Sequence, residues 1–358
     1  MKKNINNIII FSQSLQSGGA EKQAVLLANL LSDTYNVTII IFYGERTSQR
    51  ITSLIKTNIN IVLLRGVFIK KIVRLFSIFR NQRPHILFNY LLFPSLIGGI
   101  INKLAGNDIS IGGIRNALLE SNKVMPNRFA ANYLNNKTIF NNYTGYNRYI
   151  NKGFSRKRLL VIPNGINVTT ELMFRKNIDK PNILSVGRFE KAKDYYTALN
   201  AISGLFKKGE KFNYTIVGWG TQEKEIKDWI EKLNIPKESV TIIVNPKKLD
   251  KYYLKADIYL QTSLYEGLSN TVLEAMSFSL PLVVTNAGDN NKLVSNNING
   301  YIVKPKQVAE IIKSLQILIN DHEKRLKFGT RSYNNLINNY SITRLKENYQ
   351  SIINQLVS

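Results

Sequence analysis

The feature that most constrains the fold is a strand, a glycine turn, a helix and a second strand in succession between residues 256 and 286. Ala256–Ser263 alternates in the manner of a strand, and Gly267 allows a tight turn. Leu268–Phe278 has apolar residues near helical spacing, and Leu280–Val284 is an apolar run typical of a buried strand. Such units form open α/β sheets, which bind ligands beyond the carboxyl ends of their strands.

The same alternation extends along the whole chain. Near the start, the strand Asn7–Phe11, a glycine-bearing loop, the helix Glu21–Leu31 and the strand Val37–Tyr43 form a βαβ unit. Its loop lacks the G-x-G-x-x-G pattern of dinucleotide-binding folds. The strand Ile183–Gly187 opens a second series after the polar stretch that ends at Pro181. The pattern predicts two Rossmann-like domains, over residues 1–170 and 171–340.

Composition excludes several classes of protein. A chain of 358 residues with 44% hydrophobic residues can bury two cores of ordinary size. It has no cysteine and only two histidines, so disulfides and thiolate or multi-histidine metal sites are not expected. No signal peptide or membrane span is recognisable in the sequence. We therefore expect a cytoplasmic protein without a metal or other cofactor.

The positive charge is concentrated in the first half of the chain. The net charge is +25, and residues 1–170 contribute +17 of it. This asymmetry indicates an anionic partner: a membrane surface, a nucleic acid or a phosphorylated substrate. Val67–Arg83 combines apolar residues with the bases Lys70, Lys71 and Arg74, which suits an anionic bilayer. The alternative is a helix that packs on the core and exposes a solvated basic face.

The turn and helix of the opening stretch also carry a family motif. Glu266 and Glu274, with Gly267 and the Glu-Ala-Met run that begins at Glu274, resemble the E-x7-E signature of retaining glycosyltransferases of the GT-B fold, family four. The chain has Ser269 where the family usually has proline, and Ser279 where it has glycine. Taken alone, Thr271–Glu274 also fits a helix capping box, and Glu266 also fits an exposed loop acid.

Further segments resemble the same family. Gly187-Arg-Phe-Glu-Lys-Ala-Lys-Asp194 is similar to its Gly-Arg-x-x-x-x-Lys loop, and Gly18-Gly19-Ala20-Glu21 to its first-strand loop. Pro163–Asn167 is similar to the segment that leads out of its first domain. On the residues alone, the Gly18–Gly19 loop also fits a plain strand-to-helix turn. The resemblance is strongest from 183 to 303 and weak from 44 to 160.

The resemblance implies a fold class, α/β of GT-B type, in which two Rossmann-like domains face each other across a cleft. It also implies that a C-terminal helix at about 341–358 packs back on the first domain. Arg188 and Lys193 would neutralise a diphosphate, Glu274 would accept from ribose hydroxyls, and Glu266 would lie by the transferred sugar. The predicted catalytic residues are Glu266, Arg188 and Lys193, and the predicted donor-binding residues are Gly18, Gly19, Gly187, Gly218, Asn245, Gly267, Leu268, Ser269, Asn270 and Glu274.

Contacts to the acceptor or sugar are predicted from strand position. Asn89, Arg115 and Asn116 follow the fourth and fifth strands at their carboxyl ends and are the candidates. His85 lies at the opposite end of its strand, so we interpret it as structural, although many relatives have a histidine near the sugar. No metal ligand is expected, because Arg188 and Lys193 would supply the positive charge.

The predicted function is transfer, with retention, of a hexose-type sugar from a nucleotide-diphosphate sugar to a lipid-linked saccharide. A UDP-sugar is favoured and a GDP-sugar is the alternative donor. The product would be a bacterial surface polysaccharide, O-antigen or capsule, made at the inner face of the cell membrane. Two alternatives stay open: a nucleotide-sugar epimerase of the same fold, and a basic nucleic-acid-binding protein. The second lacks recognisable nucleic-acid-binding motifs.

Overall fold

The computed structural model describes residues 7–16, 19–168 and 171–357. The chain divides into two compact units, Met1–Asn164 with Leu345–Ser358, and Gly165–Arg344. Each unit is a parallel sheet with helices on its faces. The sequence interpretation placed the boundary at residue 170 and the returning helix at about 341.

The first unit contains a seven-stranded sheet in the order β3-β2-β1-β4-β5-β6-β7. The strands are β1 (Asn7–Ser12), β2 (Asn36–Ile41), β3 (Asn60–Leu63), β4 (Ile86–Tyr90), β5 (Ser110–Ile114), β6 (Lys137–Phe140) and β7 (Leu159–Val161). The helices are α1 (Gly19–Leu31), α2 (Gln49–Thr52), α3 (Phe68–Gln82), α4 (Leu92–Leu104), α5 (Ser121–Phe129) and α6 (Tyr143–Ile150), with a π-helix at Ala130–Leu134 and a 3-10 turn at Arg156–Arg158.

The second unit contains a six-stranded sheet in the order β10-β9-β8-β11-β12-β13. The strands are β8 (Asn182–Arg188), β9 (Asn213–Trp219), β10 (Val240–Val244), β11 (Ile258–Gln261), β12 (Leu282–Thr285) and β13 (Gly300–Val303). The helices are α7 (Tyr195–Lys207), α8 (Glu223–Lys232), α9 (Asp250–Lys255), α10 (Asn270–Ser277), α11 (Asn290–Leu293), α12 (Val308–Asn320) and α13 (His322–Tyr340), with 3-10 turns at Lys191–Lys193 and Lys237–Ser239. The final helix, α14 (Ile342–Val357), belongs from Leu345 onward to the first unit.

The continuous apolar runs of the sequence form strands that are buried on both faces of the sheet. β4 and β12 are buried at every position, as expected of parallel strands that have helices on both faces. In the second unit, α7, α8 and α12 contribute Leu199, Ile226 and Leu315 to the core on one face of the sheet. A separate core contains Val272 and Met276 of α10.

The C-terminal helix α14 completes the core of the first unit. Its apolar residues Leu345, Tyr349 and Ile353 are buried in the same cluster as Ile8 and Ile10 of β1. The 3.6-residue spacing of these side chains gives α14 one apolar stripe, and the stripe is what the unit buries. This chain end therefore belongs structurally to the first unit, although 180 residues separate it from the rest of that unit.

Each sheet has one position at which the chain reverses its direction of growth. In the second unit this switch point lies between β8 and β11, because β9 and β10 lie to one side and β12 and β13 to the other. The loops after two such strands diverge and leave a crevice, which is where open α/β sheets bind ligands. The segments that follow β8 and β11 are therefore expected to border a ligand-binding site.

Candidate functional site

The segment after β8 is held in a fixed shape. It contains a 3-10 turn, Lys191–Lys193, and ends at Asp194, whose left-handed backbone (φ 48°) begins α7. The Asp194 side chain accepts from Thr197 N in the first turn of that helix. Thr262, just after β11, donates from Oγ1 to the carbonyl oxygens of Lys193 at 3.0 Å and of Asp194 at 2.9 Å. Two neighbouring strands thus position the backbone of Lys193.

Lys193 and Glu266 meet at the switch point. Lys193 Nζ lies 2.6 Å from Glu266 Oε1, and Ser263 Oγ donates to the same oxygen at 2.7 Å. The two charged side chains are only 18% and 11% exposed. Separating a partly buried pair leaves an uncompensated charge, so each side chain fixes the other. The alternative of Glu266 as an exposed loop acid is wrong.

Gly288 supports the turn that carries Glu266. Its φ of 59° is left-handed, and a side chain there would collide with the carbonyl groups of Glu266 and Gly267. The next residue, Asp289, donates from its backbone N–H to Gly267 O at 2.9 Å. The sequence analysis missed Gly288, whose signal was a glycine four residues after the end of the predicted strand Leu280–Val284.

The first turn of α10 is fixed by a buried amide. The helix begins at Asn270 with Ser269 as its N-cap, so Thr271 lies inside the helix and the capping-box alternative for Glu274 is wrong. Gln261 Nε2, at the end of β11, donates to Ser269 Oγ at 2.9 Å and to Thr271 Oγ1 at 3.3 Å. Its Oε1 accepts from Asn290 Nδ2 at 2.8 Å. Sequence reasoning missed this network.

Glu274 faces a buried tyrosine. Tyr253 in α9 donates from its hydroxyl to Glu274 Oε2 at 2.8 Å. Burial raises the pKa of Tyr253 well above its usual value, and the Glu274 carboxylate raises it further, so the phenol remains a donor. The bond orients the carboxylate on the first turns of α10, whose N-terminus is an environment that favours anions.

The other predicted donor residues flank these two glutamates. Arg188 ends β8 and lies on the surface, where its Nη1 is 2.9 Å from Glu190 Oε1. Gly187 and Gly218 pair in register, and a side chain on Gly218 would collide with the Gly187 carbonyl. Asn245, with a left-handed φ of 49°, follows β10 and donates from its N–H to Gly218 O at 2.8 Å. Arg188, Gly187, Gly218 and Asn245 therefore lie at the carboxyl ends of the adjacent strands β8, β9 and β10.

Of the predicted site residues of the first unit, those that the structure describes do not form a cluster of the kind seen around Lys193 and Glu266. Gly18 lies outside the described residues, and Gly19 begins α1. Asn116 is exposed in the loop after β5, so its contact with a substrate stays a prediction. His85 is half-buried just before β4, where its Nδ1 accepts from Asn7 N at 3.4 Å.

Asn89 is corrected from a substrate contact to a structural residue. It is 1% exposed, and its Nδ2 donates to Ser110 Oγ at 2.8 Å and to Asn135 Oδ1 at 3.4 Å. Ser110 Oγ in turn donates to Asn135 Oδ1 at 2.9 Å. Strand position predicted that Asn89 points to a ligand, but the pleat turned its side chain to the core.

Arg115 is also engaged within its own unit. Its guanidinium donates to Tyr349 Oη at 3.1 Å and to Asn164 Oδ1 at 3.4 Å, and it lies 4.7 Å from the centre of the Tyr90 ring. These contacts join the end of β5 to α14. They explain an arginine at this position without any substrate.

Lys71 is a second correction. It is 3% exposed, lies 3.2 Å from Glu45 Oε1, and stacks on Tyr43 with its Nζ 4.6 Å from the ring centre. A buried, paired ammonium cannot reach a bilayer. The exposed face of α3 instead presents Lys70 and Arg74 beside Ile69 and Val73, which are 65% and 61% exposed.

In the parts of the chain that the structure describes, no three His, Asp or Glu side chains converge as metal ligands would. None of the described helices is both long and apolar enough to span a bilayer. Lys193 and Arg188 both place a cation at the switch point.

Comparison with known proteins adds the family. The family model called Glycosyl transferases group 1 matches residues 168–335, which include Lys193, Glu266 and Glu274. Over residues 168–335, the chain is therefore similar to the group 1 glycosyltransferases. This confirms the resemblance drawn from the E-x7-E motif and the Lys193 loop. The match covers the second unit almost completely and includes every predicted donor-binding residue except Gly18 and Gly19 of the first unit.

Relatives and solved structures extend the comparison beyond the group 1 domain. An uncharacterized glycosyltransferase of Haemophilus influenzae is 32% identical over 177 residues, 49% of this chain and 50% of that protein. A Campylobacter jejuni protein is 23% identical over 95% of this chain and 96% of its own length. Its name is GalNAc-alpha-(1->4)-GalNAc-alpha-(1->3)-diNAcBac-PP-undecaprenol alpha-1,4-N-acetyl-D-galactosaminyltransferase. With several curated relatives, the chain aligns over about half of the relative's length.

The fold class is confirmed by a solved structure. HepE of Anabaena, crystallised with UDP, superimposes with a TM-score of 0.83 over 98% of this chain and 100% of its own, at 14% identity. At that identity the likeness shows the fold alone, which is the GT-B fold of two Rossmann-like domains.

Proposed function

We propose that the protein transfers a sugar from a nucleotide-diphosphate sugar and acts in the synthesis of a bacterial polysaccharide. The observation that carries this proposal is the contact of 2.6 Å between Lys193 and Glu266 at the switch point of the second unit. The same strand ends carry Arg188, and α10 presents Glu274 beside them. A diphosphate needs cations, and a sugar and a ribose need carboxylate acceptors.

The proposed chemistry is electrostatic. As the glycosidic bond breaks, negative charge develops on the departing diphosphate, and preorganised cations lower the energy of that state. Lys193 and Arg188 would supply this charge, and Glu266 would orient the transferred hexose through its hydroxyls. We propose transfer with retention, in which the acceptor attacks from the face that the diphosphate leaves. A second carboxylate at hydrolase spacing is then unnecessary.

UDP is the favoured nucleotide and GDP the alternative. HepE binds UDP in its crystal structure, and the two share a fold. The relative with near-complete overlap acts, by its name, on a saccharide linked through a diphosphate to undecaprenol. Together with the excess of positive charge in residues 1–170, this supports a lipid-linked saccharide acceptor of the O-antigen or capsule type.

Nucleotide-sugar binding is tested by thermal shift. Ligands that bind the native state raise its melting temperature by mass action, so a panel of UDP-, GDP- and ADP-sugars ranks the donors. We expect UDP-sugars to give the largest shift. The proposal predicts that Lys193→Ala loses the shift while Lys224→Ala, a change at an exposed lysine of α8, keeps it. Equal shifts in both variants would place the nucleotide elsewhere.

Transfer should not depend on a divalent metal. Lys193 and Arg188 can stabilise the leaving diphosphate themselves, as a metal ion does in other transferases. The rate in excess EDTA should therefore equal the rate in magnesium, measured with the same donor and acceptor. Complete loss in EDTA, with recovery on adding manganese or magnesium, would contradict the role given to the two side chains.

We propose that the exposed face of α3 lies against an anionic membrane surface at the inner face of the cell membrane. Ile69 and Val73 would insert among the headgroups while Lys70 and Arg74 pair with anionic lipids. The exposure of two large aliphatic side chains between basic residues supports this orientation. Lys71, which is buried against Tyr43, is left out of the proposed surface.

The membrane proposal is tested by vesicle sedimentation. Changing Lys70 and Arg74 to Glu should weaken binding to phosphatidylglycerol vesicles by at least about 2 kcal/mol, since each basic residue near the surface contributes about 1 kcal/mol. The matched control reverses two exposed lysines of α8, Lys224 and Lys232, and should bind normally. If both double variants sediment alike, α3 does not contact the membrane.

A further inference from the structure

The second unit contains a cavity that the proposed donor site does not use. Its volume is about 560 Å³, within the range of small-molecule pockets. Segments from α7, α8, the loops after β8 and β11, and the start of α12 form its walls. The lining residues are Lys191, Asp194, Tyr195, Tyr196, Thr197, Asn200, Gln222, Trp229, Leu264, Lys306 and Val308.

The cavity is distinct from the Lys193–Glu266 contact. Neither of these residues lines it, and neither do Arg188 and Glu274. The helices that form its walls, α7, α8 and α12, pack on one face of the sheet, whereas α10 with Glu274 belongs to a different core. A backbone hydrogen bond from Leu264 N to Ala192 O, 2.8 Å long, joins the loops that border both places.

Several polar groups of the cavity have no protein partner. Gln222 is 8% exposed, and its amide side chain makes no hydrogen bond within the described residues. The amide nitrogen and oxygen of Gln222 still reach solvent, so they can bond a ligand that enters the cavity. Over the same part of the chain, neither Lys191 nor Lys306 has a carboxylate partner.

The charge of the cavity favours an anion. Asp194 is the acid among the lining residues, and its oxygens already accept from Thr197 N at 3.3 Å and Thr197 Oγ1 at 2.7 Å. The two lysines outnumber it. The N-terminus of α7, a helix of 13 residues, also lies at the cavity wall and adds partial positive charge.

An aromatic wall completes the cavity. The rings of Tyr196 and Trp229 lie edge to face, with centroids 5.3 Å apart and an angle of 64° between their planes. Tyr196 is 44% exposed, so the wall is open to a ligand from solvent. A flat apolar ring beside amide and ammonium donors suits a sugar ring, whose C–H face packs on the aromatic ring while its hydroxyls accept hydrogen bonds.

We propose that this cavity binds an anionic saccharide, a sugar unit that carries a carboxylate or phosphate. The choice of a saccharide rests on the proposed function in polysaccharide synthesis, whereas the anionic character rests on Lys191, Lys306 and the helix end. Trp229 packs on the sugar ring, the Gln222 amide bonds its hydroxyls, and the two lysines pair with the acidic group. The site therefore holds a polymer segment or precursor apart from the donor.

The two tryptophans of the chain allow each site to be observed separately. In the Trp219→Phe variant, the remaining fluorophore is Trp229 in the cavity; in Trp229→Phe it is Trp219, which pairs in register with Arg188. We expect a hyaluronan tetrasaccharide, which is acidic, to change Trp229 emission saturably, and neutral maltotetraose not to. UDP should change Trp219 emission instead.

Charge removal gives the second measurement. Changing Lys191 and Lys306 together to Ala should weaken binding of the acidic tetrasaccharide at least about tenfold, a difference of about 1.4 kcal/mol. Lys232→Ala, at an exposed lysine of α8, should bind as before. Calorimetry of the unlabelled protein records the same affinities independently of fluorescence, and circular dichroism verifies that each variant is folded.

Each contrary result overturns the proposal in a definite way. If the acidic tetrasaccharide gives neither a calorimetric heat of binding nor a change in Trp229 emission, the cavity binds no such ligand. If maltotetraose binds with equal affinity, the ligand does not need to be anionic. A UDP response from Trp229 rather than Trp219 would make the cavity part of the nucleotide site. Failure of both UDP and GDP to bind anywhere, with intact tetrasaccharide binding, would reject the proposed function but leave the cavity site standing.

Discussion

Lys193→Ala should lower kcat/KM for sugar transfer by about 2–4 kcal/mol, or roughly 30- to 1,000-fold, as loss of a transition-state charge partner does. The ammonium lies 2.6 Å from Glu266 and can reach a diphosphate at the same strand ends. Arg188→Ala should have an effect in the same range. The measurement is the steady-state release of nucleotide diphosphate with each variant, in the presence of acceptor.

The contact with Glu266 requires a control for stability. Removing Lys193 leaves a carboxylate that is 11% exposed without its cation, which by itself destabilises the fold. The double change Lys193→Ala with Glu266→Gln removes both charges, so it should recover melting temperature but no activity. Lys224→Ala controls for the loss of a surface lysine. Near-normal kinetics in both Lys193→Ala and Arg188→Ala would remove the diphosphate role.

Glu274→Gln should weaken the affinity for UDP by about 1.5–3 kcal/mol, while Glu266→Gln should leave it nearly unchanged. A carboxylate that accepts from both ribose hydroxyls loses a charge-assisted bond when it becomes an amide, and such bonds contribute this amount. Glu266 lies by the transferred sugar in our account, so its change should lower turnover instead. Calorimetric titration of UDP, which has no sugar to transfer, separates the two roles.

Tyr253 provides the matched control for Glu274. Tyr253→Phe removes the hydroxyl that donates to Glu274 Oε2 but keeps the carboxylate. It should therefore weaken UDP binding less than Glu274→Gln does. Equal UDP affinity in wild type, Glu274→Gln and Glu266→Gln would mean that Glu274 has only a structural role, as the acceptor for Tyr253, and that it does not bind the ribose.

The order of strands and helices could be predicted because parallel strands are apolar throughout and helices carry a 3.6-residue period. The pattern at 256–286 thus gave β11, α10 and β12 within three residues of their observed ends. The short strand β13 was missed, because Gly300–Val303 is only four residues long and has no strong pattern.

Individual side chains were harder to place, since their partners are distant in sequence. In the sequence, Lys71 looks like one of several basic residues on the surface of α3. In the structure it is buried against Glu45 and Tyr43. Asn89 ends a strand but turns toward Ser110 and Asn135. The Thr271–Glu274 spacing fits a capping box with Thr271 as the N-cap, yet the helix begins at Asn270, so the N-cap is Ser269, two residues earlier. Tertiary packing determined each of these outcomes.

The proposed donor site rests on short motifs whose residues are close in sequence, so its candidate residues could be named before the fold was known. Glu266 and Glu274 occupy one loop and helix, and Arg188 and Lys193 occupy another. Sequence alone could not show that the two loops meet. That requires β8 and β11 to be neighbours, which depends on strand order rather than on any local pattern.

The most direct test of the account is acceptor-dependent transfer from a nucleotide sugar. The purified protein is incubated with the donor that gives the largest thermal shift and with a polyprenyl-diphosphate-linked saccharide, and products are measured by mass spectrometry and NMR. We expect the acceptor to gain one hexose-type unit with the anomeric configuration of the donor retained, and nucleotide diphosphate to appear only when acceptor is present. Conversion of the donor sugar without acceptor would indicate an epimerase instead, and binding of oligonucleotides with steep salt dependence but of no nucleotide sugar would contradict the central claim.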